Sequence, residues 1–432
     1  MLILAAEVAY ASNANLIASG DTTPHVLTAA SWVLQGNANL NEYASSPMPW
    51  QVIDGIIYSI YPPGTAFVIV VPVWIALALG VQVDSPEFLA IFGKFAGILL
   101  VALSVGFVYL ACTAIARPLP ALLGTVAYAF GTSVWVTSSQ AISEHPPSHL
   151  FVALGIFLLT RPGRSAALSG LAFGLAVVAR PTEGVVAAFG ALAAWRKGIL
   201  LRYLAWGAPA AAFLFVYTYV VFGSIRPTYP DSQLPWTLPP PGWLGLLISP
   251  SRGLFIYSPV ILFAIAGYAM AWRARPDRSA RFVRDASLAV AGTYVLYSLI
   301  GYWWGGWVFG NRYLSDVGPL FALGIAFALD RGTLGSRPWG AVFALALGWS
   351  IFLQFAAAGW YYGLWNGYHW DRTPNIDVTT YRLWDWSDPQ WWFVLRRLAT
   401  DPGLTLIPAT IGALLAAILV WRAYSLGRVR TP

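Results

Sequence analysis

Charge is what this sequence has least of. Only 10% of its 432 residues are Asp, Glu, Lys or Arg, against roughly a quarter in soluble globular chains, which excludes an ordinary water-soluble domain. Cysteine is nearly missing too: Cys112 stands alone, so an intrachain disulfide is excluded and thiol content says nothing about redox compartment. The N-terminus lacks a basic n-region, and only about nine apolar residues precede Ser12, too few for a full span and a poor secretion signal. No soluble domain, internal repeat or low-complexity tail interrupts the chain, which is read as one domain over residues 1–432.

What is abundant is apolar. Hydrophobic residues make up 58% of the chain, and runs of membrane-spanning length recur from residue 91 to residue 422. Within one segment of hydrocarbon only a helix satisfies its own backbone, so the expected fold is an all-α integral membrane bundle of about eleven to thirteen helices. The 22 Trp, 21 Tyr and 23 Phe gather just outside these runs, at the level where amphipathic rings meet headgroups. The net charge of +7 sits at the ends of spans, which implies membrane lipids as neighbours and no nucleic-acid partner.

Arginine-rich turns supply the topology. Residues 161–164, 195–202, 273–284, 330–337 and 421–430 are short and basic and are assigned to the cytoplasmic side. The loops over 223–253 and 359–402, rich in Trp, Pro, Tyr and Asp, fall on the opposite side. Single spans near 91–115, 119–137, 148–160, 166–179, 183–195, 200–222, 253–272, 286–308, 313–330, 338–358 and 403–422 join them without a parity conflict. The first outer loop then runs over 19–90, so Pro62 to Gly80 is expected to be re-entrant or interfacial, with Pro62, Pro63 and Pro72 interrupting its helix, the alternative being an ordinary span with one of the other spans withdrawn.

Ionisable residues near spans are costly and tend to be functional, and the outer side holds few of them. Asp21, in Ile17-Ala-Ser-Gly-Asp-Thr-Thr-Pro24, leads an amphipathic stretch from His25 to Leu34; it can serve as general base, metal ligand or helix N-cap. Glu144, His145 and His149, in Ser143-Glu-His-Pro-Pro-Ser-His149, offer a second acidic site, for a divalent ion or for a turn. Arg180, Arg252 and Arg312 lie at outer span ends, where a guanidinium either forks onto phosphate oxygens or anchors the helix. Tyr61-Pro-Pro-Gly64 and Trp303-Trp-Gly-Gly-Trp307 suit close backbone approach and aromatic contact with a sugar or prenyl chain, or an interfacial belt.

Taken in order, Ile17 to Pro24, Tyr61 to Gly64, Gly131-Thr-Ser-Val-Trp135 to His145, Ala179-Arg-Pro-Thr182, Leu247 to Phe255, Gly310-Asn-Arg-Tyr-Leu314 with Pro319, and Arg382-Leu-Trp-Asp-Trp386 resemble the C-type (GT-C) membrane glycosyltransferase superfamily. The likeness is strongest to its bacterial branch related to protein mannosyltransferases and aminoarabinose transferases. The resemblance implies a GT-C-like bundle with amphipathic helices in the first outer loop. It further implies an inverting transfer of sugar from a polyprenyl-phosphate donor to a lipid, glycan or protein acceptor outside the plasma (inner) membrane. Asp21 would be the catalytic base, and some of Arg180, Arg252 and Arg312 would hold the donor phosphate. Tyr61, Glu144, His145 and Tyr313 would contact donor or acceptor, and Asp21 with Glu144 would bind at most one divalent cation, Mg or Mn. Two departures stand out: relatives often pair acids in the first loop where Thr22 and Thr23 stand, and Tyr61 replaces a lysine. A non-enzymatic polyprenyl-lipid or polysaccharide binding or transport protein is the competing class.

Overall fold

The computed structural model describes residues 1–13, 16–45, 48–224, 236–275, 277–332, 337–360, 376–400 and 406–429. The chain is a helical membrane bundle with one small hairpin. Its helices are α1 (Leu2–Ala11), α2 (Thr23–Leu34), α3 (Gly64–Ala78), α4 (Pro86–Cys112), α5 (Pro118–Phe130), α6 (His145–Thr160), α7 (Ser169–Ala179), α8 (Gly184–Arg196) and α9 (Leu200–Phe222). They continue with α10 (Leu262–Arg273), α11 (Arg278–Ser298), α12 (Gly318–Arg331), α13 (Arg337–Trp360), α14 (Gln390–Thr400) and α15 (Leu406–Val429). By length and composition four described helices can cross a membrane, namely α4, α9, α13 and α15, and six apolar helical segments are shorter. The expected eleven to thirteen spans are thus represented by four long helices and a set of short ones.

Helix α12 is the axis. Every residue from Gly318 to Leu329 is buried, and α5, α10 and α11 pack around it. Around that centre α4 packs on α6, α6 on α7, α7 on α9, and α8 on α11, while α1 lies against α4 and α15. Close approach is bought with glycine: a Cβ on Gly267 would stand 2.0 Å from the Gly324 carbonyl oxygen. Helix α9 runs mostly exposed, as an apolar helix at a lipid boundary does.

The segment between α1 and α4 has a core of its own, with Val26, Leu27, Ala29, Ala30, Leu40, Ala66, Ile69 and Val73 packed against Leu89, Leu100 and Ile142. Helix α2 is buried from Thr23 to Ser31, so the face expected to be polar is covered as well. An antiparallel hairpin of β1 (Trp50–Ile53) and β2 (Ile56–Ser59) turns on Asp54-Gly55, both at positive φ, the conformation a two-residue hairpin requires. Helix α3 has 15 residues, a rise of about 22 Å against roughly 30 Å of hydrocarbon. Pro62 and Pro63 precede its start rather than interrupting it, and Pro72 sits inside an unbroken helix.

Three span boundaries differ from the sequence reading. Residues 119–137 divide into α5 and a π-turn at Val134–Ser138 after Gly131. Within 253–272, short turns at Leu254–Tyr257 and Pro259–Ile261 precede α10, where proline removes a backbone donor. The span expected over 286–308 starts earlier, at Arg278, and stops at Ser298. Beyond it Gly305, Gly306 and Gly310 take φ values of +71°, +73° and +67°, and residues 301–312 form a loop.

Candidate active site

Five segments far apart in sequence converge at one end of α12. The turn before α2 brings Asp21, the segment before α3 brings Tyr61, and the start of α6 brings Glu144 and His145. Arg180 comes from the break between α7 and α8, and Arg312, Tyr313 and Asp316 come from the loop leading into α12. Gly64 permits the convergence. A Cβ there would lie 2.3 Å from the Ala179 nitrogen and 2.4 Å from its Cα, so the Tyr61-Pro-Pro-Gly64 turn rests directly on the backbone that carries Arg180.

The outer half of the cluster is an ion pair with a third partner. Arg312 Nη1 donates to Asp21 Oδ2 at 2.6 Å, and the Tyr61 hydroxyl donates to Asp21 Oδ1 at 2.8 Å. Burial pushes the Asp21 carboxyl up, but the Arg312 charge and the hydrogen bonds from Arg312 and Tyr61 outweigh it and hold the group at about 2. Burial, then the neighbouring Asp21 carboxylate, push the Tyr61 phenol well above its ordinary range, so it stays a donor. The Asp21 side chain is 46% exposed and that of Arg312 is 19% exposed, so the pair forms the wet lip of the site.

The inner half is buried. Arg180 Nη1 donates to Glu144 Oε2 at 3.1 Å, and its Nε lies 2.8 Å from Asp316 Oδ2 and 3.0 Å from the Tyr297 hydroxyl. His145 bridges the same groups, with Nδ1 at 2.6 Å from Asp316 Oδ1 and Nε2 at 3.3 Å from Arg180 Nη1. Guanidinium only donates and carboxylate only accepts, so these partners assign His145 as the neutral tautomer protonated on Nδ1. Tyr297 and Tyr313 stack at 4.5 Å with 3° between planes. The Arg180 guanidinium sits 5.7 Å from both ring centres and that of Arg312 sits 5.8 Å from Tyr313, which joins the two halves.

Asp316 is the residue that the sequence reading missed, because it lay within a segment read as an apolar span. Its signal was present: a lone acid in such a run is functional by default. Glu183, Tyr297 and Thr182 were missed likewise; Glu183 is buried and accepts from the Ser148 hydroxyl at 2.9 Å.

Arg252 corrects an expectation. It is 1% exposed, and its guanidinium donates to the carbonyls of Ser251, Trp304 and Gly306 and to Gln390 Oε1. These bonds tie its own segment and Gln390 to the loop over residues 301–312, so Arg252 braces the loop that carries Arg312. Gln390 extends the brace by accepting from the Gly310 nitrogen and donating to the Val308 carbonyl. Ser249 and Ser251 donate to the carbonyls of Leu383 and Arg382, which gives the Arg382-Leu-Trp-Asp-Trp386 segment a structural role.

The expected cation ligands Asp21 and Glu144 do not fit a divalent ion well. Each already pairs with an arginine, through Asp21 Oδ2 and Glu144 Oε2, so an ion between them would share its ligands with two guanidiniums. Three other buried ligand-type groups, His145, His149 and Asp316, offer atoms within 4.8 Å of one another. There too Arg180 lies on Asp316, and both ring nitrogens of His145 are engaged, so that constellation works as a hydrogen-bonded mount for Arg180.

No family model matches this sequence, and no curated protein matches it. The fold is similar to that of ArnT from Cupriavidus metallidurans in the apo state, with a TM-score of 0.48 and 15% identity over 96% of this chain and 75% of that one. At this distance the likeness concerns the course of the chain and assigns no side-chain role.

Proposed function

We propose that this chain is an integral membrane glycosyltransferase that takes a sugar from a polyprenyl-phosphate donor and passes it to an acceptor hydroxyl on the outer face of the plasma membrane. The observation that carries the reading is the pairing of a half-exposed carboxylate, Asp21, with Arg312 at the lip of a cluster whose second arginine, Arg180, is mounted immediately behind it. Such a site supplies a proton acceptor next to cationic fork donors, the two requirements of a displacement at an anomeric carbon with a phosphate leaving group. In this step Asp21 takes the proton of the acceptor hydroxyl. The acceptor oxygen bonds to the anomeric carbon from the face opposite the phosphate, the carbon–oxygen bond to the phosphate breaks, and the configuration inverts. Arg312 stabilises the charge left on the phosphate, and Arg180 sets the field behind it. Glu144 and His145 act on Arg180, and Tyr313, stacked on Tyr297, lies beside both guanidiniums, 5.7 Å from that of Arg180 and 5.8 Å from that of Arg312. No step requires a divalent ion.

Lipid extracts from cells with the gene, without it, and with Asp21→Asn test the reading by mass spectrometry. A polyprenyl-phosphate sugar should accumulate in the second and third, with loss of one sugar from an envelope glycan, lipid or protein. Unchanged lipids and glycans in all three would refute it and favour non-enzymatic binding or transport of a polyprenyl lipid.

A further inference from the structure

We propose that Arg312 is a donor-operated latch on Asp21: in the empty site it occupies the carboxylate oxygen that serves the acceptor, and a lipid phosphate draws it off, so that donor must bind before acceptor. This rests on the function proposed above and adds the order of events and the atom involved.

The geometry of the pair points to it. Tyr61 donates to Asp21 Oδ1 at 2.8 Å and Arg312 donates to Oδ2 at 2.6 Å. The guanidinium engages Oδ2 alone while the phenol holds Oδ1, so it does not grip the carboxylate as a two-pronged fork, the arrangement that makes arginine–carboxylate pairs strong. A phosphate offers that fork. Arg312 also keeps a spare donor: its Nε is buried and makes no hydrogen bond among the described residues. Room to move comes from Gly305, whose absent Cβ would stand 3.3 Å from both Cγ and Nε of Arg312. Arg312 meets Asp21 through one bond at the lip of the site, where the carboxylate side chain is 46% exposed, whereas the Arg180 pairs behind it are buried and multiply bonded. Of the two arginines, Arg312 is therefore the one that exchanges partners.

After the exchange Asp21 keeps Tyr61 on Oδ1 and presents an open Oδ2. An acceptor hydroxyl arriving first meets a carboxylate whose working oxygen is covered.

The test is a double-variant cycle on the full-length protein in detergent, with undecaprenyl phosphate as probe and undecaprenol as neutral control. Removing the competing carboxylate in Asp21→Asn should tighten undecaprenyl phosphate binding about tenfold, the scale of a typical coupling between two ligands of one group. Arg312→Ala should weaken it, and Asp21→Asn added to Arg312→Ala should bring no gain, because the gain comes from freeing the arginine. Arg312→Lys should keep part of the affinity and confirm that the loss in Arg312→Ala is not misfolding. A gain that persists in the double variant would be general relief of negative charge and would overturn the latch, as would equal affinities in the wild type and Asp21→Asn. Inorganic phosphate forms the separate arm: the same cycle with free phosphate but none with the lipid would support the latch and remove the polyprenyl reading. Wild type that binds neither phosphate would overturn both.

Discussion

Gly64→Ala isolates the contact that joins the two halves of the site. The new methyl group would start 2.3 Å from the Ala179 nitrogen and 2.4 Å from its Cα, against 3.4–4 Å for ordinary contact. The neighbour is backbone at the end of α7, so relief requires the Tyr61–Gly64 turn and the Ala179–Arg180 segment to separate by about 1 Å. Overpacking of this kind costs about 1–3 kcal/mol, and a misplacement of about 1 Å near reacting groups can cost roughly a hundredfold in rate. Gly184→Ala is the internal control, because a Cβ there meets nothing within 4 Å. At the start of α8 that change should be neutral or slightly stabilising. Thermal unfolding in detergent followed by tryptophan fluorescence, together with transfer assays, reads both effects. Gly64→Ala with the unfolding temperature and transfer rate of the wild type would refute the claim that backbone contact at Gly64 sets the register between Asp21 and Arg180.

Asp21→Asn should abolish transfer while the protein stays monodisperse on gel filtration; full turnover in the purified variant would remove Asp21 from the role of base. The same variant tests the carboxyl's proton affinity, which lies at about 2 when folded against an ordinary 3.8. A lowered folded value contributes stability that is present above 3.8 and lost as pH falls through about 2, so wild type and Asp21→Asn should differ in unfolding temperature at neutral pH and converge across that window. A difference independent of pH would contradict the ion pair. Asp316→Asn should destabilise by about 2–4 kcal/mol, because one amide oxygen cannot accept from both Arg180 and His145 and the amide nitrogen then faces a donor; wild-type stability would contradict the mount assigned to Asp316. Transfer should survive exhaustive chelation, and a loss restored by Mg²⁺ or Mn²⁺ would overturn the assignment of Arg312 and Arg180 as the cationic groups. Single cysteines at positions 85 and 143 in a Cys112→Ala background should react with an impermeant thiol reagent on spheroplasts, and one at 279 should not. Protection at 85 with labelling at 143 would mean that α3 crosses the membrane.

The sequence disclosed the outer acids and arginines because charge is so scarce outside the basic turns that each exception stands out. Asp21, Glu144, Arg180 and Arg312 were found that way, and Tyr61 through its Pro-Pro-Gly context. Arg252 shows the limit of that logic. Whether a buried guanidinium faces a ligand or the carbonyls of its own loops depends on the path of residues 301–312, which hydropathy places inside a span. Three glycines at positive φ redirect that path, and apolarity alone does not register them. Asp316 was hidden by the same averaging, since one acid in a window of apolar neighbours barely lowers the mean. The loops expected over 223–253 and 359–402 fall partly on residues 225–235, 361–375 and 401–402, outside the described part of the chain.

The gradient of exposure across the site has a consequence for repeated turnover. A base that has accepted a proton must give it up before it can work again. Glu144 and Asp316 have side chains only 6% and 1% exposed and are clasped by Arg180, so a proton placed on either would have no short way out. Asp21 alone among these carboxylates is in reach of water, so as the base proposed above it would discharge to solvent between cycles, and the return of Arg312 would drive that discharge by restoring the neighbour that favours the charged form.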